Sequence, residues 1–587
     1  MRLRYLHLRN YPPISELRVR FASGSPLGRE CAIRFVIGLN GSGKSNLLRA
    51  VAEVFLALAD ERMPQFPVSL IYELGKRGEK GHRTFLVDCF GRKSEASIWM
   101  REGFHWPDDT SVEAFDAAVT RIRAAGTRAT RELSQAELEP YVFPGTWPQS
   151  PGIAMPSAVL AYTTGDIRPW RSVWGRNQDG EPAAEADGHV AADERPPGWT
   201  MALERAHSPA QSGAADGDTL EVEDLEPEGR VNSAGRPILL DATLLKCALL
   251  AVVLPRSRLA VLYDDESQQT DGFAKLLSNG ACDHLVTVAF RGRFLPKEWA
   301  QEIQDLSLKW WLCAGEVIAE PHPAEPRRTV IFDMGGQFDA LALPTQTNDD
   351  DLDICNTQGQ ALLHLLGGDS VKPFELFERL LTLRDAELFE DVQLRMRRTP
   401  TPEAASGNNA SDVGVLRYEE MSDGEQMFLG RMALFHLLKG QQDALLLLDE
   451  PETHFNDKWK REIVDIIDDA IGDTANDVLI STHSAIVLSD VFNNEIVMVQ
   501  KTQDGSIARS VDEPTFATDP SALMMMVFGA DDSIGKRAQE FIEGKLRQAT
   551  GTPAEIADLE RLIARMGSGF YRSELRTLLN TWRGESA

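Results

Sequence analysis

Cysteine is scarce and scattered in this chain. Six residues, Cys31, Cys89, Cys247, Cys282, Cys313 and Cys355, are spread over 587 positions and form no CxxC pair. That usage argues against a zinc ribbon or a disulfide framework and suits a reducing, cytoplasmic compartment. An apolar leader is missing: Met1-Arg2-Leu3-Arg4-Tyr5 alternates like a strand, unlike a signal peptide. The one stretch that could pass for a membrane span, Ile238 to Leu254, carries Asp241 and Lys246. It falls short of the roughly 20 apolar residues a span needs, so a buried core helix and no membrane partner are expected. No heptad pattern persists for three or four repeats, which speaks against a long coiled-coil arm, and no internal repeat is visible. Positive charge is also short. With 61 Lys and Arg against 89 Asp and Glu, the net charge is −28, which opposes coating nucleic acid through an overall field.

What is present is a chain long enough for two to four domain-sized units, with an ordinary 43% hydrophobic and 26% charged content. The basic residues are locally dense near the start. Arg2, Arg4, Arg9, Arg18, Arg20, Arg29, Arg34, Lys44 and Arg49 face only Glu16 and Glu30 within residues 1–50. A solvated basic face and a nucleic-acid site both fit that density. Strong pattern occupies residues 1–60, read as strands, a glycine loop and a helix from Asn46 to Leu58, and residues 410–510. An insertion, 61–409, separates them, and a helical extension, 511–587, follows, with helices expected at Ser521–Val527 and Lys536–Arg547. Within the insertion, about 176–232 holds about 14 acidic and 4 basic residues and few large apolar ones, the composition of a disordered loop. Ala158–Tyr162 and Thr329–Phe332 are strand-like, and Phe374–Arg398 is read as helical.

Gly38-Leu39-Asn40-Gly41-Ser42-Gly43-Lys44-Ser45 fits GxxxxGK[ST] between an apolar run and a helical pattern, the context that identifies a phosphate loop. Glycines let successive N–H groups turn inward toward phosphate oxygens, and the following helix adds its positive end. Asn40, Gly41, Ser42, Gly43, Lys44, Ser45 and Asn46 are the candidate nucleotide-binding residues. Lys44 is expected on the β- and γ-phosphates and the Ser45 hydroxyl on Mg²⁺. Ala444–Leu448 is a continuous apolar run, as in a strand covered on both faces, and it ends in Asp449-Glu450-Pro451. Asp449 is the second candidate Mg²⁺ ligand and Glu450 the candidate general base for an attacking water. Val478-Leu479-Ile480 leads into Ser481-Thr482-His483-Ser484, placing His483 as the third candidate catalytic group beside Lys44 and Glu450. Met421-Ser422-Asp423-Gly424-Glu425-Gln426 opens a helix expected from Glu425 to Lys439, and Ser422 is equally suited to a plain N-cap or to an anion site.

The order of these four motifs resembles the ABC-type ATPases, in particular the SMC, RecF and OLD-like branch. Gly-Leu-Asn-Gly-Ser-Gly-Lys-Ser-Asn is similar to their phosphate loop, and Asp-Glu-Pro-Glu-Thr-His-Phe at 449–455 to their Walker B and D-loop. The resemblance covers about 1–60 and 410–505. It implies an α/β fold: a P-loop NTPase sheet with flanking helices, interrupted by a large α+β insertion and followed by helices. It also implies ATP and Mg²⁺ as cofactors, with Ser422 and Gly424 capping the nucleotide of a second copy in a head-to-head homodimer or higher even oligomer and His454 near the shared interface. Asp423 departs from the glycine usual in that signature. No Q-loop glutamine is assignable, and Tyr11 is the one aromatic offered for adenine.

Three biological readings follow. The first, from likeness to the ATPase subunits of Septu and retron-associated anti-phage defence systems, is an ATPase that controls a separate effector nuclease. No HNH-like Cys/His cluster or Toprim-like acidic set is visible, so any cleavage would come from that partner. The second is a RecF-like repair ATPase that binds DNA itself through the N-terminal arginines with Arg121, Arg123, Arg128 and Arg131. The third is a scaffold that uses ATP only to lock a dimer.

Overall fold

The structure, a computed structural model, describes residues 1–22, 27–60, 62–90, 97–125, 155–174, 236–262, 277, 282–293, 301–320, 327–339, 352–368, 370–398, 414–502, 505–529, 534–548, 551–567 and 570–583. The acidic segment at 176–232, Arg128 and Arg131 lie outside these residues.

Apolar runs without alternation build the centre of the molecule. Ala32–Ile37, Asp477–Ser481, Ala444–Asp449 and Ala158–Thr163 lie side by side and parallel, buried along their whole length. With Ile496–Thr502, Gly505–Ser510 and Ile238–Leu239 they complete a seven-stranded sheet, in the order 505–510, 496–502, 32–37, 477–481, 444–449, 158–163, 238–239. Burial on both faces explains the run. Leu446 and Leu448 enter one core while Leu445 and Leu447 enter the other, as strand periodicity requires. The Lys44–Ala59 helix fills the second core against an antiparallel sheet ordered 14–20, 2–11, 68–74, 83–88, 97–102. On the opposite face the Ala242–Leu262 and Asp423–Leu437 helices pack between the central sheet and a third, antiparallel sheet, ordered 316–320, 327–333, 282–292, 391–398, 415–417.

The fold is therefore α/β with a parallel-rich sheet and a helical C-terminal region. The expected insertion is interwoven with the rest: Ala158–Thr163 pairs directly with the strand ending in Asp449. The apolar stretch from Ile238 does contain the buried helix, which begins at Ala242 after Asp241 caps it through the Leu244 N–H at 2.9 Å. Both charges that interrupt this stretch are paired, Asp241 with Arg384 at 2.6 Å and Lys246 with Asp391 at 2.6 Å. No helix among the described residues is long and apolar enough to cross a membrane.

The Phe374–Arg398 reading needs correction. The helix stops at Asp385, Glu387 takes a φ of +61°, and Asp391–Arg398 is a strand with Val392, Leu394 and Met396 buried in alternation. Toward the C-terminus, Lys536–Gln548, Pro553–Arg565 and Phe570–Arg583 pack on a small core of their own around Ile542, Leu559, Ile563, Leu575 and Leu579.

Candidate functional site

The C-terminal ends of three adjacent parallel strands bring the motifs together, at the sheet edge where open α/β folds hold ligands. After Ile37 the chain turns through Gly38, Gly41 and Gly43, with φ of 149°, 78° and 106°. A Cβ on Gly38 would lie 2.1 Å from the Val499 carbonyl oxygen, so only glycine fits there. Gly43 is the left-handed N-cap of the Lys44–Ala59 helix, and no side chain caps it. The first-turn N–H groups therefore remain available to an anion. Lys44 is buried, and its Nζ donates to the Gly38 carbonyl at 3.0 Å. Ser42 is buried, and its hydroxyl has no partner among the described residues. Asn40 and Gly41 are exposed, whereas Asn46 donates to the Pro12 carbonyl at 3.1 Å.

Ser45 and Asp449 meet across 404 positions of sequence: the serine hydroxyl donates to Asp449 Oδ1 at 2.8 Å. Two further hydroxyls hold the same carboxylate, Ser481 on Oδ1 at 2.5 Å and Thr163 on Oδ2 at 3.1 Å. Glu450 follows with a φ of +52°, a left-handed value that non-glycine residues rarely adopt and that clusters at functional sites. Its N–H donates to the Ser481 carbonyl at 3.0 Å. The neighbouring strand brings His483, half-exposed, with Nδ1 at 3.2 Å from Glu450 Oε1. Lys44, Ser45, Asp449, Glu450 and His483 thus share one locus.

Ser422 and Gly424 form a second locus. Ser422 caps the Asp423–Leu437 helix, accepting from the Glu425 N–H at 3.3 Å and donating to Glu425 Oε2 at 2.8 Å. Ser422 and Asp423 are exposed. Gly424 faces the turn at 451–455, where a Cβ would stand 3.4 Å from the His454 carbonyl oxygen and from Trp459. None of the hydrogen bonds described for Lys44, Ser45, Asp449 or Glu450 reaches Ser422 or Gly424.

The loop fits a triphosphate on its own features: left-handed glycines, helix N–H groups that no side chain caps, a buried lysine donating to a carbonyl, and a buried serine hydroxyl with no partner among the described residues. Among the described residues no group of three His, Cys, Asp or Glu could hold a metal alone. A Ser45–Asp449 pair suits Mg²⁺ instead, which keeps waters and phosphate oxygens and takes one or two protein ligands.

Several groups escaped the sequence reading. Thr163 and Ser481 anchor Asp449, and the signal for both was a hydroxyl at the end of an apolar strand. Arg431, buried on the signature helix, donates to Tyr162 Oη at 3.0 Å, to the Thr453 carbonyl at 2.7 Å and to the Pro451 carbonyl. Glu452 is buried beside Thr482. Tyr11 is also buried, packed edge-on against Phe66 at 4.6 Å, a poor position for stacking on a base. Many of the arginines offered for DNA are engaged within the fold: Arg4 with Glu73, Arg34 with Asp477, Arg18 with Glu16 and Asp116, Arg29 with Asp468, and Arg123 with Asp88.

Residues 363–490 match the family described as "AAA domain, putative AbiEii toxin, Type IV TA system". This is a minor part of the chain, holding Ser422, Asp449, Glu450 and His483 but not the phosphate loop. Among solved structures, the SmcHead bound to the C-winged helix domain of ScpA is similar at 12% identity, with 87% of this chain and 98% of that one covered and a TM-score of 0.28. The SMC head domain from Thermotoga maritima follows at 11% identity, 87% and 100% coverage and a TM-score of 0.26. An Smc head domain with an extended coiled coil, bound to the C-terminal domain of ScpA derived from Pyrococcus furiosus, gives 12%, 87%, 96% and 0.28. At TM-scores this low the likeness decides nothing about the site. No curated protein matches the chain. The family match is a likeness to an AAA domain over residues 363–490.

Proposed function

We propose that this chain is a Mg²⁺-dependent ATPase whose nucleotide site is completed when two copies meet head to head, and that it serves as the ATPase subunit of an anti-phage defence complex controlling a separate effector nuclease. The observation that carries the ATPase reading is the 2.8 Å contact between Ser45 and Asp449, which joins the glycine loop to the carboxylate strand at one sheet edge.

In this reading Lys44 and the loop N–H groups grip the β- and γ-phosphates, while Ser45 and Asp449 hold the metal. Mg²⁺, when bound, neutralises charge on the transferring phosphoryl group. Glu450 accepts the proton of the attacking water, and His483, held beside it, donates a hydrogen bond to order that step. Dimerisation is supported by the exposure of Ser422, which none of the hydrogen bonds described above links to Lys44, Ser45, Asp449 or Glu450: such a serine turn is available to the nucleotide of a partner copy. The defence role is supported by the motif resemblance and by a matching family whose description names a toxin of a toxin–antitoxin system. Direct DNA binding by the N-terminal arginines is disfavoured, because so many of them are engaged in ion pairs.

Nucleotide binding and turnover test the reading. The purified chain should bind and hydrolyse ATP with Mg²⁺, and Lys44→Ala should lose binding. Unchanged nucleotide affinity in that variant would refute the phosphate-loop assignment.

A further inference from the structure

We infer that Glu452 is a positioning residue for hydrolysis: acting through Thr482, it fixes the loop that sets His483 against Glu450. The inference rests on the ATPase reading above and adds a residue to it.

Glu452 is 2% exposed, and its Oε1 takes the hydroxyl of Thr482, itself wholly buried. Thr482 Oγ1 in turn accepts the Ser484 N–H at 3.0 Å, and the Thr482 N–H donates to the Val36 carbonyl at 3.1 Å. The residues on both sides of His483 are therefore tied down, one to Glu452 and the other to Thr482. His483 needs that support, because its half-exposed ring is not held by packing. The turn bearing Glu452 cannot drift either, since Arg431 holds the carbonyls of Pro451 and Thr453 on both sides of it.

A buried carboxyl is an expensive way to fill space. Its other oxygen, Oε2, is buried with no partner among the described residues, and leaving such a group unsatisfied is costly. Burial pushes the Glu452 carboxyl above its usual range, against the opposing pull of the Thr482 hydroxyl. An apolar residue of similar volume would pack there without that penalty, so a purely structural role does not explain the carboxyl. Its position does: it spans the turn after Glu450 and the loop of His483, the two halves of the catalytic pair.

Steady-state kinetics of Glu452→Leu, Glu452→Gln, Thr482→Val and His483→Ala test the assignment. Displacing a catalytic group by about 1 Å can cost on the order of 10²-fold in rate. A kcat loss on that scale is expected for Glu452→Leu and Thr482→Val, with KM for ATP within about twofold of wild type. Gln, which keeps an acceptor for Thr482, should restore part of the rate. Adding Glu452→Leu to His483→Ala should cost little more, because both act on one group. A rise in KM at unchanged kcat, or losses that multiply in the double variant, would overturn the assignment. Crystal structures of wild type and Thr482→Val give a readout independent of turnover. The 3.2 Å separation of His483 Nδ1 and Glu450 Oε1 should open beyond hydrogen-bond reach in the variant, and an unchanged separation would overturn the role. An inactive wild-type chain would instead count against the ATPase reading.

Discussion

At the scale of single residues, the site depends on hydroxyls and one guanidinium as much as on its motif residues. Arg431 is the clearest case, since its charge is buried between Tyr162, Phe455 and two backbone carbonyls. Hydrogen bonds to a charged donor contribute more than neutral ones, and removing the donor leaves buried carbonyls unsatisfied. Arg431→Ala should therefore lower unfolding free energy by roughly 3 kcal/mol, measurable by urea denaturation; a loss under about 0.5 kcal/mol, the scale of ordinary surface changes, would contradict this assignment. Lys44, Ser45, Asp449, Glu450 and His483 were legible because their spacing from an apolar strand or a glycine loop marks them. Arg431 and Glu452 were not. Arg431 takes its role from partners such as Tyr162, 269 positions away, and Glu452 from Thr482, 30 away, and no local pattern encodes such pairings.

Among elements, the buried strands announce themselves and the half-buried ones are harder to read. Leu445–Leu448 fits a strand covered on both faces, whereas Asp391–Arg398 begins shortly after a helix and continues its charged composition. Its alternation of Val392, Leu394 and Met396 carried the signal, and Glu387 at positive φ is the physical break between the two. The antiparallel sheet near the N-terminus makes a prediction at this level. Glu73 is buried between Arg4, at 2.6 Å, and Arg77, at 2.8 Å. Burial alone would raise its pKa, but the His82 ring 3.6 Å away, hydrogen bonds from Arg77 and the charge of Arg4 bring it down to about 2. Burial lowers Arg4 only to about 10, so the pair is ionised at neutral pH and Glu73 is the member that titrates in acid. A depressed carboxylate binds fewer protons folded than unfolded, so its contribution is intact above about pH 4.5 and is lost as pH falls toward 2. Glu73→Gln should flatten the loss of thermal stability with pH across that window. An unaltered slope would show that the group does not control it.

For the whole molecule, the four motifs in order point to the proposed ATPase head from the sequence alone. The way the middle of the chain threads back into it was not readable. Ala158–Thr163 pairs with the strand of Asp449 from more than 280 positions away, and a boundary drawn by composition cannot see such a crossover. The net charge of −28 makes two copies repel at low salt, so in the proposed dimer bound nucleotide and the serine turn would have to overcome that repulsion. The decisive measurement is sedimentation of Glu450→Gln with and without Mg²⁺-ATP, alone and combined with Ser422→Arg. ATP should convert Glu450→Gln from monomer to dimer, and Ser422→Arg should abolish the conversion while leaving ATP binding intact. A sedimentation coefficient indifferent to ATP, or a dimer that survives Ser422→Arg, would contradict the shared site.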